Sequence, residues 1–326
     1  MRCILCRRNR QRANNENANA VHEPLSSRVL RFHDGAVNAV AYLDNGRVVT
    51  SGEDGRIAVW RPGAPRPAKV LEGHKAPVVA LAVSSDGTTL ASAAWDHTAR
   101  LWSLADDAPR VLEGHSQNVN GVAFARDGSS AITVSYDATL RIWPLDGGAP
   151  AVVTLPTPLN AVVVLADGEI VTAGADGKVY FLSAAGALTK EIDAAPSPII
   201  ALAVSGDGKL IAAAGIRGSV AIIERAAQSL ARTLVGPGLP VWSAAFLTDG
   251  RTLLTGGADR MIRRWDALTG EPIGNVVMGA PEDPLAAFAG DPGAEVFRAC
   301  VACHTLHAGD GVRAGPTLAG ILGRRI

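Results

Sequence analysis

Apolar positions along this chain fall in short runs, such as Val78–Val83, Ile132–Ser135 and Leu140–Trp143, each bounded by turn-forming residues. Runs of this length, rich in β-branched side chains, predict strands. The longest, Ala76–Val83 and Ala161–Ala166, fall far short of the ~20 apolar residues of a membrane-spanning helix, so no membrane span is predicted. The turns between runs recur. Gly46, Gly87, Gly128, Gly168, Gly208 and Gly250 stand 41, 41, 40, 40 and 42 residues apart, and Asp or Asn precedes each one. That dipeptide marks a tight hairpin between two strands. Three further sets keep the same phase: Asp54, Asp96, Asp137, Asp176, Arg217 and Asp259; Trp60, Trp102, Trp143, Leu182, Ile223 and Trp265; and, in the first three units alone, His33, His74 and His115.

Each unit is about four short strands, too small to bury both of its faces. Stacking such units around an axis covers the faces, and closing the ring hides the strand edges. The predicted fold is therefore all-β, a propeller of six units from about Val29 to Gly270. Six blades are preferred over seven, because no stretch supplies another unit. Val29–Phe32 or Pro272–Val277 could each provide the outer strand that closes the ring.

The arrangement resembles the WD-repeat family. Gly73-His74 and Gly114-His115 match its Gly-His dipeptide, and Ser92, Asp96 and Arg100-Leu101-Trp102, with Thr133, Asp137 and Arg141-Ile142-Trp143, match the rest. The resemblance implies a buried network in each of three blades: His33/Thr50/Asp54/Trp60, His74/Ser92/Asp96/Trp102 and His115/Thr133/Asp137/Trp143. A buried carboxylate needs donors, and imidazole and indole N–H groups supply them. Metal ligation or acid–base chemistry is the competing role for these residues. Regular spacing spreads them through separate blades instead of converging them, which favours the structural role. Unit four lacks the His and the Trp, and unit five lacks His, Asp and Trp. Both must hold by packing, so 154–223 is expected to be the softest part of the ring.

Composition adds one constraint. The 31 basic and 31 acidic residues cancel, so nothing draws the chain to nucleic acid or anionic lipid. The four cysteines form two C-x-x-C pairs at opposite ends, Cys3/Cys6 and Cys300/Cys303. That distribution favours cofactor or metal chemistry over a disulfide framework.

After Met278 the strand pattern stops. Residues 1–27 are assigned as an N-terminal tail, 28–279 as the propeller, 280–290 as a linker and 291–326 as a separate helical segment. Asp291-Pro292 predicts a helix start, with the helix running on to Cys300-Val301-Ala302-Cys303-His304. C-x-x-C-H is the haem c attachment signature: two thiols on one helical turn reach the two vinyl groups of a porphyrin edge, and the adjacent imidazole reaches the iron. Zinc sites and redox dithiols share C-x-x-C.

The flanks, Gly-Ala-Glu-Val-Phe at 293–297 and Gly315-Pro316-Thr317-Leu318-Ala319-Gly320-Ile321-Leu322-Gly323-Arg324, resemble the mitochondrial-type class I cytochrome c. Every position of that pattern is met except the first Gly spacing. The resemblance implies one covalent haem c on Cys300 and Cys303, with His304 as proximal iron ligand. It also implies that the Gly315-Pro316 turn lies beside the haem, the Pro316 carbonyl accepting the imidazole N–H.

The family's distal ligand is a later methionine. Met1, Met261 and Met278 all precede the motif, so the distal ligand is unassigned and the cytochrome segment is read as truncated. At the other end, Met1-Arg2 and Ala18-Asn19-Ala20 resemble the start and cleavage site of a secretory signal. The polar stretch Arg7–Asn17 replaces the apolar core, giving either a corrupted signal peptide or a basic tail, and Cys3 and Cys6 have no assigned role.

The leading expectation is a periplasmic electron carrier docked through its propeller, with a redox protein and the cytochrome c maturation machinery as partners and no enzymatic activity of its own. The alternatives are a pure interaction scaffold with an inert haem segment, and an oxidoreductase holding another cofactor on the propeller.

Overall fold

The computed structural model describes residues 30–277, apart from 44, 45, 106, 107, 237 and 260. Among the described residues there are 24 strands in six four-stranded antiparallel sheets and no helix. Sheet one comprises β1 (Val37–Tyr42), β2 (Val48–Gly52), β3 (Ile57–Trp60) and β4 (Lys69–Leu71). Sheet two holds β5 (Val78–Val83), β6 (Thr89–Ala94), β7 (Ala99–Ser103) and β8 (Arg110–Leu112). Sheet three is β9 (Val119–Phe124), β10 (Ser130–Ser135), β11 (Thr139–Pro144) and β12 (Ala151–Thr154), and sheet four is β13 (Leu159–Val164), β14 (Ile170–Gly174), β15 (Lys178–Leu182) and β16 (Leu188–Asp193). Sheet five follows with β17 (Ile199–Val204), β18 (Leu210–Gly215), β19 (Ser219–Glu224) and β20 (Ser229–Val235), and sheet six with β21 (Val241–Phe246), β22 (Thr252–Gly257), β23 (Met261–Asp266) and β24 (Pro272–Val277).

Every sheet is built from four consecutive strands, so Pro272–Val277 is the outer strand of its own sheet. Leu30 and Phe32 pack beside Trp60 outside any strand. Of the two predicted segments, Pro272–Val277 supplies an outer strand, that of sheet six, and the described part of the other, residues 30–32, forms none.

The six predicted turn glycines all lie between the first and second strand of their sheets, with φ of +67° to +90°. Only glycine reaches that region without strain. In five of them the preceding aspartate closes the turn, accepting the N–H two residues on: Thr88, Ser129, Glu169, Lys209 and Arg251.

Neighbouring sheets bury their faces against each other in sequence order. The first strands lie side by side, β1 on β5, β5 on β9, β9 on β13, β13 on β17 and β17 on β21. Each innermost strand carries one irregularity at the same place, at Asn38, Val79, Asn120, Asn160, Ile200 and Trp242. A bulge re-aims the side chain it frees. Asn38, Asn120 and Asn160 donate to Val78 O, Leu159 O and Ile199 O of the following sheet.

Sheets four and five, expected to be the softest, share a continuous core that includes Val171, Phe181, Ile199, Ile211 and Ile223, all fully buried. Arg225, just after β19, adds ion pairs to Asp167 and Glu169 of sheet four. Apolar packing stands where the networks are missing. Among the described residues β21 and β1 do not pack together as the other neighbouring first strands do.

Candidate docking face

Three of the six hairpins between second and third strands are held by the networks the sequence predicts. In sheet two, Trp102 Nε1 donates to Ser92 Oγ at 2.8 Å, Ser92 Oγ lies 2.7 Å from His74 Nε2, and His74 Nδ1 lies 2.9 Å from Asp96 Oδ2. An indole can only donate and a carboxylate can only accept, so every proton is directed. The indole donates to the hydroxyl, the hydroxyl to Nε2, and Nδ1–H to the carboxylate. Trp143, Thr133, His115 and Asp137 repeat the relay at 2.8, 2.7 and 3.0 Å, and Trp60, Thr50, His33 and Asp54 at 3.0, 2.8 and 3.0 Å.

The electrostatics agree with a neutral imidazole facing an ionised carboxylate. Burial alone would raise the Asp96 carboxyl, but hydrogen bonds from His74, the Lys75 N–H and Thr98 hold it far below the usual carboxylate range. Asp137, likewise buried, is held down at about 2 by Thr139, the Ser116 N–H and His115. Burial keeps His115 below its ordinary value against the pull of Asp137. These histidines and aspartates are saturated by one another within single sheets, which leaves no open coordination position. Among the described residues no three metal-ligating side chains converge.

The same aspartates close the hairpin, accepting the N–H two residues on from Arg56, Thr98, Thr139, Lys178 and Met261. Sheets four and six substitute other partners. Tyr180 donates its hydroxyl to Asp176, Arg263 pairs with Asp259, and Trp265 keeps its bond to Thr255 at 2.9 Å.

This fixed backbone presents a variable side chain. The residue before the repeat aspartate, or before Arg217 in sheet five, is Glu53, Trp95, Tyr136, Ala175, Ile216 or Ala258. In each case its N–H donates across to the residue before the sheet's first strand, Ala36, Pro77, Asn118, Pro158, Pro198 or Pro240. The register places the bulged residues at this same end of the ring. One end of the propeller therefore carries Trp95, Tyr136, Ile216 and Trp242, with Tyr136 53% and Trp242 36% exposed. Trp95 Nε1 donates to Asn120 Oδ1, and Asn120 reaches Asn160, so side chains link sheets two, three and four along this rim. The periodic sets in the sequence pointed one residue past these positions. Their signal was the variability immediately before an otherwise constant aspartate.

Cys300, Cys303, His304, Gly315 and Pro316, the predicted haem site, lie outside the described residues, as do Cys3, Cys6 and the predicted helix.

Residues 25–61, 65–103, 108–144 and 228–266 match the WD domain, G-beta repeat family. No curated protein matches the chain. The four matches cover the segments that keep the tryptophan of the repeat and omit the two that replace it with Leu182 and Ile223. Strand order, hairpin chemistry and repeat match agree: the described residues form an all-β propeller of six four-stranded sheets, and four segments of it match WD repeats.

Proposed function

We propose that this propeller is a protein-interaction scaffold whose docking face is the rim bearing Trp95, Tyr136, Ile216 and Trp242. The supporting observation is the contrast at the six hairpins, where a constant backbone clamp holds five different side chains, from alanine to tryptophan. Large aromatic side chains on a rigid frame supply contact area at low entropic cost, which is what protein recognition draws on. The test is in-cell crosslinking of the native chain against Tyr136→Ala/Trp242→Ala. A partner captured by the native chain and lost from a variant of unchanged melting temperature supports the reading. Retention of every partner by the double variant contradicts it.

A second reading, electron transfer, is favoured by Cys300-Val301-Ala302-Cys303-His304 and its Gly315-Pro316 flank. In it the chain is exported to the periplasm, Cys300 and Cys303 hold one haem c covalently, His304 ligates the iron and Pro316 orients His304. The bound haem would exchange single electrons with a redox partner docked on the propeller. An exported, matured chain should then keep haem through acid–acetone extraction. Cys300→Ala or Cys303→Ala should weaken or abolish that attachment. Complete extraction from the native chain would rule the second reading out and leave the scaffold standing.

A further inference from the structure

Five of the six hairpins between second and third strands are closed by an aspartate that accepts the N–H two residues on. In sheet five the same position is Arg217. A guanidinium carries donors only, so it cannot close the turn. The backbone around it is nevertheless the one an aspartate needs. Ile216 N–H donates to Pro198 O at 3.0 Å, as its counterparts do in the other sheets, and Gly218 has the left-handed φ, +84°, of a residue after the repeat aspartate. Sheet five thus keeps the frame and reverses the charge, giving up a stabilising contact on the docking face. A departure that costs stability with no local gain marks a position held for contact with something else.

The surroundings of Arg217 define what that is. Its side chain is exposed, and among the described residues it has no hydrogen bond or ion pair. Charges on the neighbouring hairpins are occupied: Asp176 by the Tyr180 hydroxyl, Lys178 by Glu191, and Asp259 by Arg263. The hairpin abuts the entry to sheet six, where a Cβ added at Gly218 would stand 2.9 Å from Leu239 O. The same end of sheets five and six carries half-buried Ile200 and Ile216 and exposed Trp242. This stretch of rim is therefore apolar around one unpaired cation.

We infer that Arg217 is the specificity-determining contact of the docking face, and that the partner protein presents there an acidic side chain beside an apolar one. The inference rests on the docking-face reading and adds the chemistry of the partner. The planar fork of a guanidinium pairs with a carboxylate through two parallel N–H···O bonds. The apolar neighbour packs on Ile216 and Trp242 and keeps water from the pair. A basic segment is repelled at the same point, so one residue both attracts and rejects.

The probe is a random-peptide display library selected on the native chain, with the affinity of the recovered peptides then measured in solution. They should carry Asp or Glu next to an apolar residue and bind more weakly as salt rises. Arg217→Gln and Arg217→Asp should each weaken binding at least about tenfold. Arg217→Asp should also raise the melting temperature by about 2–4 °C, because the restored aspartate closes the hairpin, and lost binding is then separated from lost folding. Replacing the acidic residue of the peptide by Lys should recover binding to Arg217→Asp. Recovery of no peptide, or of peptides without an acidic residue, would overturn the proposal. So would binding unchanged in both Arg217 variants, or a lower melting temperature for Arg217→Asp, since the hairpin would then owe its stability to the arginine. Peptides lost from Tyr136→Ala/Trp242→Ala but indifferent to Arg217 would overturn this inference and leave the docking face standing. Indifference to every variant would remove both readings.

Discussion

At the scale of single residues, the first three sheets carry hydrogen-bonded relays that end on a carboxylate with several donors. Asp96 accepts from His74, from the Lys75 N–H and from Thr98. Asp96→Ala leaves the buried His74 Nδ1–H without its carboxylate. It should cost about 2–4 kcal/mol in urea unfolding, and a cost near zero would mean the network holds nothing. The same geometry sets the response to acid. His115 sits below its ordinary value when folded, so the unfolded chain takes up more protons once the pH falls below about 6.5 and stability begins to fall there. The carboxyls of Asp96 and Asp137 are depressed in the fold. Their contribution is complete above about pH 4 and is lost as the pH drops toward 2. Asp137→Asn should flatten the lower limb of a stability–pH profile. A limb of unchanged steepness would contradict the assignment.

At the scale of strands and hairpins, the residue after the repeat aspartate has φ near +70° in the first four sheets: Gly55 at +72°, His97 at +68°, Ala138 at +65° and Gly177 at +78°. Non-glycine residues are strained there, by roughly 1–2 kcal/mol. Ala138→Gly should therefore raise stability by about 1 kcal/mol in chemical denaturation, a gain against the usual sign for this substitution. A loss would show that the hairpin strain is relieved elsewhere. Where the relay is missing, apolar packing carries the load. Phe181, fully buried between sheets four and five, should cost ~3–5 kcal/mol as Phe181→Ala in the same measurement.

Much at this scale was legible in the sequence. Asn45-Gly46, Asp86-Gly87 and their counterparts announce hairpins because that turn needs a left-handed residue after a short side-chain acceptor. The relays were legible too, since His, Ser or Thr, Asp and Trp recur in one phase. The shared burial of sheets four and five was not, because Leu182 and Ile223 reveal their burial only when a neighbouring sheet is set against them. The rim escaped for the opposite reason: Trp95, Tyr136 and Ile216 share a position but no chemistry, and a search for recurrence passes over positions that vary.

At the scale of the whole molecule, the six sheets share five interfaces, and the softest elements are expected where an interface is absent. Counting repeats gives the number of sheets. Whether the last sheet meets the first depends on the angle between each pair, and local sequence does not encode that sum. The expectation drawn from the missing networks placed early opening at 154–223. The packing of Phe181, Ile199 and Ile223, with Arg225 bridging to Asp167 and Glu169, moves it to the two ends of the arc. Native-state hydrogen exchange on the unmodified chain compares the six equivalent first strands directly. Slow exchange in β5, β9, β13 and β17, with faster exchange in β1 and β21, is the result this account predicts. Equal protection of all six strands, or earliest opening in β13 and β17, would contradict it.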